Sequence, residues 1–429
     1  MHSKLLKTGP ILALLVLVVV GCSSIKPDVG SGEGGSGGKV KLTFWHGMSG
    51  QLKNVLDAQV EEFNKSQDEV KVSTVSNTDY DTNQQKLLAA IASDSEPDIA
   101  QIEIHAIPQF AASGALVPLD DFMEQSEEHT KDDFIAGLLN NTQFEGETYG
   151  VPFNRSVPTF YYNADMFEEA GISGPPETWV DVEEYAKKLA KPEKKIYGYT
   201  PVNAWWFFQS MVWSGGGEMT NEDFSQATFD TPEARAGMEI WQSLKREGAV
   251  NVRSGTEAWP QTISDFSEGR TAMFSGSAGD MGQIEDGNPN FEWKATYIPK
   301  FDEYAVPTGG ANAAILSQDE EKQKAAWQFI SWFTNTDQTI KWSQKTGYLP
   351  VKEAAIDDPK MVEYFEKNPN HEVPIDQLEY ARTAPESPDY PETLEAIQTA
   401  MDDILYNNEP VGPSLEEAEE KSNEILSGS

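Results

Sequence analysis

The sequence predicts an α/β fold organised in two lobes, and two observations support that class. Segments with strand-like alternation of apolar residues and segments with helical spacing follow one another along the chain. This order favours mainly parallel strands covered by helices. The length of 429 residues allows two domains, or three small ones, at about 150 residues each.

The first half of the chain shows the clearest alternation of elements. Apolar residues recur at every second position in the predicted strands and at every third or fourth position in the predicted helices. In chain order these are a strand at 40–44, a helix at 52–63, a strand at 70–75, a helix around 87–91, a buried strand at 98–102 and a helix that ends at Gly114. We expect this half to form most of one lobe.

Helix signals dominate the second half of the chain. Residues 176–179 (PETW) begin a predicted helix that continues to Leu189, and residues 231–233 (TPE) begin another that continues through Trp241. Thr or Pro near the start, with an acid close by, is preferred at helix N-termini. No repeat with a fixed period of a solenoid is present.

The charge of the chain argues against one class of partner. There are 70 Asp and Glu residues against 32 Lys and Arg, for a formal charge of −38. Nucleic acids and anionic bilayers need clustered basic residues to neutralise phosphate. We therefore expect no nucleic-acid partner, and we expect a monomer because charge of one sign keeps copies of the chain apart.

The N-terminus has the pattern of a secretory signal. Lys4 and Lys7 precede an apolar run at 11–20, which is too short to span a bilayer because a transmembrane helix needs about 20 residues. Residues 19–22 (VVGC) resemble the lipobox of bacterial lipoproteins, in which the signal is removed before a lipidated cysteine. The alternative is an ordinary signal followed by a lone buried Cys22.

This pattern at the N-terminus leads to a prediction for residues 1–38. We predict a signal peptide over 1–21, and a lipidated Cys22 with a Gly/Ser tether over 22–38 that attaches the protein to the membrane.

Cys22 is the only cysteine, so an intramolecular disulfide and a thiolate metal cluster are both excluded. The five histidines are scattered without metal-ligand spacing, and we expect no metal site and no cofactor.

Aromatic residues indicate a carbohydrate site. The chain has 11 tryptophans, including Trp45 directly after the first predicted strand and Trp205 and Trp206 in the run at 204–208. Sugar rings pack their C–H faces on aromatic rings, so tryptophans near a cleft suit a sugar ligand. The alternative is core packing, which we favour for the tryptophans inside helical patterns: Trp179, Trp241, Trp327 and Trp332.

Signs of catalysis are absent from the motifs. No Gly-x-Ser-x-Gly nucleophile motif occurs, and the glycines at 215–217 lack the Lys-Ser/Thr of a phosphate-binding loop. With 70 acidic residues in the chain, many carboxylate pairs could serve in glycoside hydrolysis. The presence of such pairs is therefore not evidence for that activity. We predict that the protein is not an enzyme.

Several motifs together resemble one known family. In order along the chain they are residues 44–50 (FWHGMSG), 97–99 (PDI), 152–156 (PFNRS), 161–163 (YYN), 309–312 (GGAN), 345–350 (KTGYLP) and 365–369 (FEKNP). The chain resembles the extracytoplasmic solute-binding proteins of ABC importers, in the family that binds sugars and glycerol 3-phosphate. The glycerol-3-phosphate branch matches best.

The resemblance implies a two-lobe fold of the periplasmic-binding-protein type, with a ligand cleft between lobes joined by a hinge that the chain crosses more than once. It implies an N-terminal lobe at 40–152 plus 309–350 and a C-terminal lobe at 156–303 plus 355–429. It also implies an ABC permease in the membrane as partner.

Site residues follow from the resemblance position by position. The ligand-binding residues of the branch correspond to Tyr80, Ser156, Ser277, Gly310 and Tyr348. A stacking tryptophan corresponds to Trp206, or to Trp205 if the gap is placed otherwise. Hydroxyls and a backbone N–H from both lobes suit a polyol.

Two positions depart from the branch. Its cleft glutamate aligns with Ile104, and Glu103, one residue earlier, replaces it only if the strand end shifts, because strand neighbours face opposite ways. Its phosphate-side arginine aligns with Leu394, and a buried phosphate without a basic partner is costly. Arg155, Lys345 and Arg382 are candidates to replace that arginine, although no pattern places them in the cleft.

The sequence thus predicts a lipid-anchored solute-binding protein on the extracytoplasmic face of the bacterial membrane. We expect it to capture a neutral sugar or short oligosaccharide with the residues Trp45, Tyr80, Glu103, Ser156, Trp205, Trp206, Ser277, Gly310 and Tyr348. The alternative ligand is sn-glycerol 3-phosphate or a glycerophosphodiester. Alternatives of other classes are a cell-surface glycoside hydrolase and a structural lipoprotein without a small ligand.

Overall fold

The computed structural model describes residues 38–255 and 257–428. The predicted signal peptide, Cys22 and all of the predicted tether except Gly38 lie outside these residues. Within the described part of the chain, no helix has both the length and the apolar character needed to cross a membrane.

Strands and helices alternate through the first half of the described chain. The strands are β1 (Val40–His46), β2 (Val70–Ser76), β3 (Ile99–Glu103), β4 (Gln143–Phe144), β5 (Glu147–Thr148), β6 (Val151–Ser156), β7 (Pro158–Asn163), β8 (Met273–Ser277), β9 (Trp293–Tyr297), β10 (Val306–Pro307), β11 (Gly309–Ile315) and β12 (Ala381–Arg382). The helices are α1 (Gly50–Ser66), α2 (Tyr80–Ile91), α3 (Ile107–Ala112), α4 (Asp120–Glu124), α5 (Ala136–Leu139), α6 (Ala164–Glu169), α7 (Trp179–Leu189), α8 (Trp205–Ser214), α9 (Pro232–Arg246), α10 (Ala258–Ser267), α11 (Met281–Asp286), α12 (Glu320–Phe333), α13 (Thr336–Thr346), α14 (Glu353–Ile356), α15 (Pro359–Lys367), α16 (Val373–Asp376), α17 (Tyr390–Asp402) and α18 (Val411–Ser427). The predicted α/β class is confirmed.

Local capping explains where several helices begin. The Thr178 side chain accepts a hydrogen bond from the backbone N–H of Asp181 at the start of α7, and the Asp181 carboxylate accepts one from the backbone N–H of Thr178. Thr231 caps α9 in the same way through the N–H of Ala234. Because a capped first turn satisfies backbone donors that would otherwise lack partners, these starts were predictable from sequence.

The first sheet has five strands in the order β2-β1-β3-β11-β6. β1 pairs in parallel with both β2 and β3, whereas β11 is antiparallel to both β3 and β6. Helices α1 and α12 cover one face, where Phe329 packs against Phe44 and Phe63 at ring-centroid distances of 6.0 and 5.1 Å. β3 and β6 therefore run in the same direction.

The second sheet has three antiparallel strands in the order β8-β7-β9. Parallel bridges from Tyr197 to Thr271 and from Thr200 to Phe274 add a further segment beside β8. The prediction of mainly parallel pairing is wrong, because most pairs between named strands are antiparallel. In the first sheet the reason is that β11 returns from the second sheet and so runs against β3 and β6. In the second sheet β7 is antiparallel to both β8 and β9.

Two of the tryptophans assigned to packing lie in the core of the second lobe. Trp179 and Trp241 are fully buried, and their rings meet edge to face with centroids 6.0 Å apart. Trp327 and Trp332 are partly buried and pack against the core of the first sheet. The prediction of a packing role is confirmed for all four.

Neighbouring chain segments join the two sheets. β6 leads into β7 through Val157 alone, and β10 leads into β11 through Thr308. The buried Arg155 guanidinium ties these passages together, since its Nε donates to the Gly309 carbonyl at 3.0 Å and its Nη2 to Thr308 Oγ1 at 2.9 Å. Burial lowers the Arg155 pKa to about 9, so the group is still charged at neutral pH.

Candidate ligand-binding site

A cavity of about 330 Å³ lies between the two sheets. The carboxyl ends of β1, β3 and β6 meet at this edge of the first sheet, because these strands share one direction. β8 brings Ser277 to the opposite wall, where it pairs with Pro158 directly after the passage from β6. Carboxyl ends of parallel strands are where ligands bind in open α/β sheets.

All but one of the predicted ligand-binding residues line this cavity. They are Tyr80, Glu103, Ser156, Trp205, Trp206, Ser277, Gly310 and Tyr348. Gly310 has φ of +85°, and a Cβ atom there would come within 1.8 Å of the Asn154 carbonyl oxygen. Only glycine therefore permits this approach of β11 to β6.

Trp45 is the exception and does not line the cavity. Its side chain is partly buried and packs beside the core cluster that includes Leu87 and Ala100. The cavity begins beyond the end of β1, at Gly47 and Met48. A strand residue before that end contributes to the faces of the sheet rather than to its edge, and the predicted stacking role of Trp45 is therefore not supported.

A chain of hydrogen bonds positions Tyr80, one of the two cavity tyrosines. Asn154 Nδ2 donates to the Tyr80 hydroxyl at 2.6 Å, and Gln101 Nε2 donates to Asn154 Oδ1 at 2.7 Å. Gln101 Oε1 in turn accepts from the Gly47 N–H at 2.7 Å. Burial raises the pKa of Tyr348 to about 12, so its hydroxyl keeps its proton at neutral pH and can donate to a ligand.

Glu103 and Ile104, the two residues that could correspond to the cleft glutamate of the resembling branch, both reach the cavity. Glu103 is the last residue of the strand and Ile104 follows in a turn, where the N–H of Ala106 donates to the Glu103 carbonyl at 3.0 Å. The expectation that neighbours face opposite ways holds only within a strand, so Glu103 and Ile104 both line the wall. Because Glu103 is the last residue of β3, its side chain is available to a ligand in the cavity.

Burial controls the ionisation of Glu103 and its neighbour His105. Glu103 Oε2 lies 3.6 Å from His105 Nε2. Burial, with a smaller contribution from Asp81, raises the Glu103 pKa well above its usual range, and burial lowers the His105 pKa to about 3. The imidazole is therefore neutral at neutral pH, and the contact is not an ion pair.

Three tryptophans form the aromatic wall. Trp206 donates from Nε1 to the Thr308 carbonyl at 3.0 Å, and its ring lies 6.4 Å from the Trp259 ring at an interplanar angle of 31°. A Cβ at Gly309 would come within 2.2 Å of Trp206 Cζ2, so the absence of a side chain there makes room for the indole. Trp205 contacts the edge of His105, with ring centroids 4.9 Å apart.

Trp259 and Asp280 line the cavity and were missed by the sequence analysis. Asp280 Oδ2 accepts hydrogen bonds from the Ser277 N–H at 2.8 Å and from Trp259 Nε1 at 2.9 Å. A short 3₁₀ turn, Ala278–Asp280, holds Ser277 and Asp280 together as a capping box. The Ser-x-x-Asp spacing of residues 277–280 was the available signal.

Among the residues that line the cavity in the described chain, none is Lys or Arg. The Arg155 guanidinium is hydrogen-bonded within the hinge, and Lys345 is exposed. Arg382 pairs with Glu218, and its guanidinium stacks on the Trp213 ring at 4.9 Å. Leu394, which aligns with the phosphate-side arginine of the resembling branch, is buried in the core. None of the three basic candidates replaces that arginine.

The buried Asp280 carboxyl should make stability depend on pH. Burial raises the Asp280 pKa to about 7 from a usual value of 3.8, so the folded state holds a proton that the unfolded state releases between these values. As the pH rises from about 4 to about 7, this group should lower the free energy of unfolding, and above about 7 the loss should be complete.

Urea unfolding of the natural chain and of Asp280→Asn, measured across this pH range, tests this expectation. The stability of the variant relative to the natural chain should increase up to a pH of about 7 and then stay constant. A difference that is independent of pH would show that Asp280 has an ordinary pKa.

The fold and the cavity together define a class of protein. Two α/β lobes joined by adjacent passages, with aromatic and hydroxyl groups around a cavity between them, are the features of a hinged solute-binding protein. The chain belongs to the family of bacterial extracellular solute-binding proteins, whose profile matches residues 58–372. The family prediction is confirmed.

Relatives with established names are similar over most of the chain. The sn-glycerol-3-phosphate-binding periplasmic protein UgpB of Brucella abortus is 27% identical over 356 residues, which is 79% of this chain and 81% of that protein. The UgpB protein of Rhizobium meliloti is 25% identical over 407 residues, or 90% of this chain and 94% of that protein. These relatives are named as binding proteins rather than as enzymes.

Solved structures confirm the predicted two-lobe fold. UgpB from Mycobacterium tuberculosis, in complex with glycerophosphocholine, has a TM-score of 0.82 and 27% identity, and covers 92% of this chain and 99% of its own. The cyclic α-maltosyl-1,6-maltose binding protein from Arthrobacter globiformis has a TM-score of 0.72 and 27% identity, with coverage of 91% and 100%.

Proposed function

We propose that this extracellular solute-binding protein captures a sugar or short oligosaccharide and delivers it to the permease of an ABC importer. The single observation that supports the choice of ligand is the composition of the cavity. Its wall, as formed by the described residues, has three tryptophans and several hydroxyl and carboxyl groups but no Lys or Arg. Aromatic faces stack on sugar rings, and these polar groups exchange hydrogen bonds with hydroxyls.

In this proposal each part of the wall has its own role. Trp205 and Trp206 stack on the sugar and Glu103 accepts hydrogen bonds from its hydroxyls. The hydroxyls of Tyr80, Ser156, Ser277 and Tyr348 and the backbone of Gly310 complete the polar contacts. Because these groups come from both proposed lobes, a ligand that touches all of them favours the closed arrangement over an open one.

A second candidate ligand is a glycerophosphodiester or sn-glycerol 3-phosphate. The names of the UgpB relatives and the glycerophosphocholine complex of the Mycobacterium tuberculosis protein support it. The missing basic residue weighs against it, because a phosphate buried without Arg or Lys loses its hydration with little in return. We therefore rank it second.

The proposed lobes are 40–152 with 309–350 and 156–303 with 355–429. The two sheets fall on either side of this division, apart from the last residues of β6, which continue the first sheet to Ser156. We also retain the proposed lipid anchor on Cys22, because a tethered binding protein stays close to its permease. Mass spectrometry of the membrane-extracted protein tests the anchor, and a mature N-terminus without acyl mass on Cys22 contradicts it.

A thermal-shift screen tests the ligand class. The purified chain is heated with mono- and oligosaccharides, glycerol 3-phosphate and glycerophosphodiesters. A ligand at 100 times its dissociation constant should stabilise the native state by ~2.7 kcal/mol, which raises the midpoint by a few degrees.

The outcomes of this screen separate the candidates. A shift with sugars alone supports the first proposal, and a shift with phosphate ligands alone supports the second. Chromatography of the recovered sugar checks for hydrolysis, and cleavage products would indicate the glycosidase alternative.

A further inference from the structure

The cavity wall carries carboxyl groups without compensating cations. Asp79, Glu103 and Asp280 line it, and no Lys or Arg joins them among the described residues. Asp79 is already occupied, since it caps α2 by accepting from the Thr82 N–H at 2.7 Å and from two hydroxyls. Glu103 and Asp280 are the two carboxyls that remain for a ligand.

Asp280 is a buried carboxyl group that lines the cavity. Its residue is 5% exposed, and both of its hydrogen bonds go to Oδ2, from the Ser277 N–H and from Trp259 Nε1. Its other oxygen, Oδ1, has no hydrogen-bond partner among the described residues. A buried carboxylate normally has a cation or a full set of donors, because removing its charge from water is costly.

The two free carboxyls belong to one region of the cavity. Both line the same cavity as Tyr348. Trp259 binds the Asp280 carboxyl through its indole N–H, and the Trp206 ring follows at 6.4 Å. A ligand group beside Asp280 would therefore lie near the indole N–H edge of Trp259, on the wall that also includes Trp206.

We propose that the ligand is an amino sugar, a saccharide with a free ammonium group that pairs with Asp280 beside Trp206 and Trp259. This inference rests on the proposed function and names the subclass of sugar. The ligand itself would supply the positive charge that the wall lacks. The same absence of basic side chains argues against a phosphate group, so a phosphate-free ammonium compound fits the wall better than a zwitterionic phosphodiester.

Matched disaccharides test this proposal by calorimetric titration of the purified chain. The probes are the β-1,4-linked glucosamine dimer, its N-acetylated form and cellobiose, which have the same linkage and differ in carrying an ammonium, an acetamide or a hydroxyl group. Glycerophosphocholine is a fourth probe. The ammonium dimer should bind at least ~10-fold more tightly than the acetamide and the hydroxyl dimers, because charge-assisted hydrogen bonds exceed neutral ones.

Variants assign the preference to one side chain. Asp280→Asn keeps an oxygen for Ser277 and Trp259 but removes the charge, and it should reduce affinity for the ammonium dimer at least ~10-fold while changing the neutral dimers less than about threefold. Asp286→Asn, at an exposed position in α11, is the control for net charge and should change none. Glu103→Gln provides a second test if Asp280→Asn does not fold.

Each contrary result has a distinct meaning. Equal or tighter binding of cellobiose or the acetylated dimer overturns the amino-sugar inference and leaves the sugar-binding function intact. Binding of glycerophosphocholine alone overturns the inference and favours the second candidate function. If none of the saccharides binds, the sugar-binding proposal fails, and the inference fails with it.

Discussion

Replacing Trp206 with alanine should weaken sugar binding by at least about 30-fold, or ~2 kcal/mol. The indole is 7% exposed, lies against Gly309 and Trp259, and is fixed by its bond to the Thr308 carbonyl. It is thus a rigid aromatic surface that costs little entropy to present to a ligand. Calorimetric titration with a sugar found in the thermal screen measures the effect.

Controls separate binding from stability in this experiment. Trp206→Phe keeps an aromatic face but loses the hydrogen bond, so its affinity should lie between those of the natural chain and the alanine variant. Trp327→Ala removes a tryptophan outside the cavity, where the ring packs against Phe122 at 5.6 Å, and should leave affinity unchanged at a temperature where the variant is folded. Undiminished binding by Trp206→Ala would show that this ring does not contact the ligand.

Replacing Arg155 with alanine should lower the free energy of unfolding by about 3–5 kcal/mol. Besides its bonds to Thr308 and Gly309, the guanidinium donates to the Leu138 carbonyl at 2.5 Å and to Asn312 Oδ1 at 3.1 Å. Removing it leaves buried acceptors unpaired and opens a void at the junction of the two sheets. Urea unfolding monitored by circular dichroism measures the change.

Two further variants test the cause of this loss. Arg155→Lys keeps the charge but lacks the planar fork of donors, so it should recover only part of the stability. Arg246→Ala, at an exposed position near the end of α9, should change stability by less than about 0.5 kcal/mol. An unchanged urea midpoint for Arg155→Ala would mean that the passages between the sheets hold together without this side chain.

The parts of the fold that were predictable have local causes. The starts of α7 and α9 depend on Thr178 and Thr231 bonding to backbone groups three residues away, and the strand and helix patterns of the first half depend on neighbouring residues. Pairing direction was predicted wrongly, because the antiparallel direction of β11 depends on where the chain returns from the second sheet. That return has no signature within β11 itself.

The residues of the site were predictable where they correspond to ligand-binding positions of the resembling family, and not elsewhere. Tyr80, Ser156, Ser277 and Tyr348 were named through the resemblance, and the structure brings them to one cavity. Trp45 was chosen because an aromatic after a strand suits a cleft, but it lies before the strand end. Arg155 was considered as a phosphate ligand, whereas its hydrogen bonds commit it to the hinge.

The sequence by itself determined the α/β class, the family, the strong acidity and eight of the residues that line the cavity. These properties depend on composition, on short-range spacing and on motifs whose members are close together in the chain. Only the tertiary structure decided that Trp259 and Asp280 join the wall, that Glu103 and Ile104 both reach it, and that no basic residue of the described chain does. The physical reason is that the wall is made by residues far apart in sequence, as in the bond between Trp206 and Thr308 across 102 positions, and no local pattern encodes such a contact.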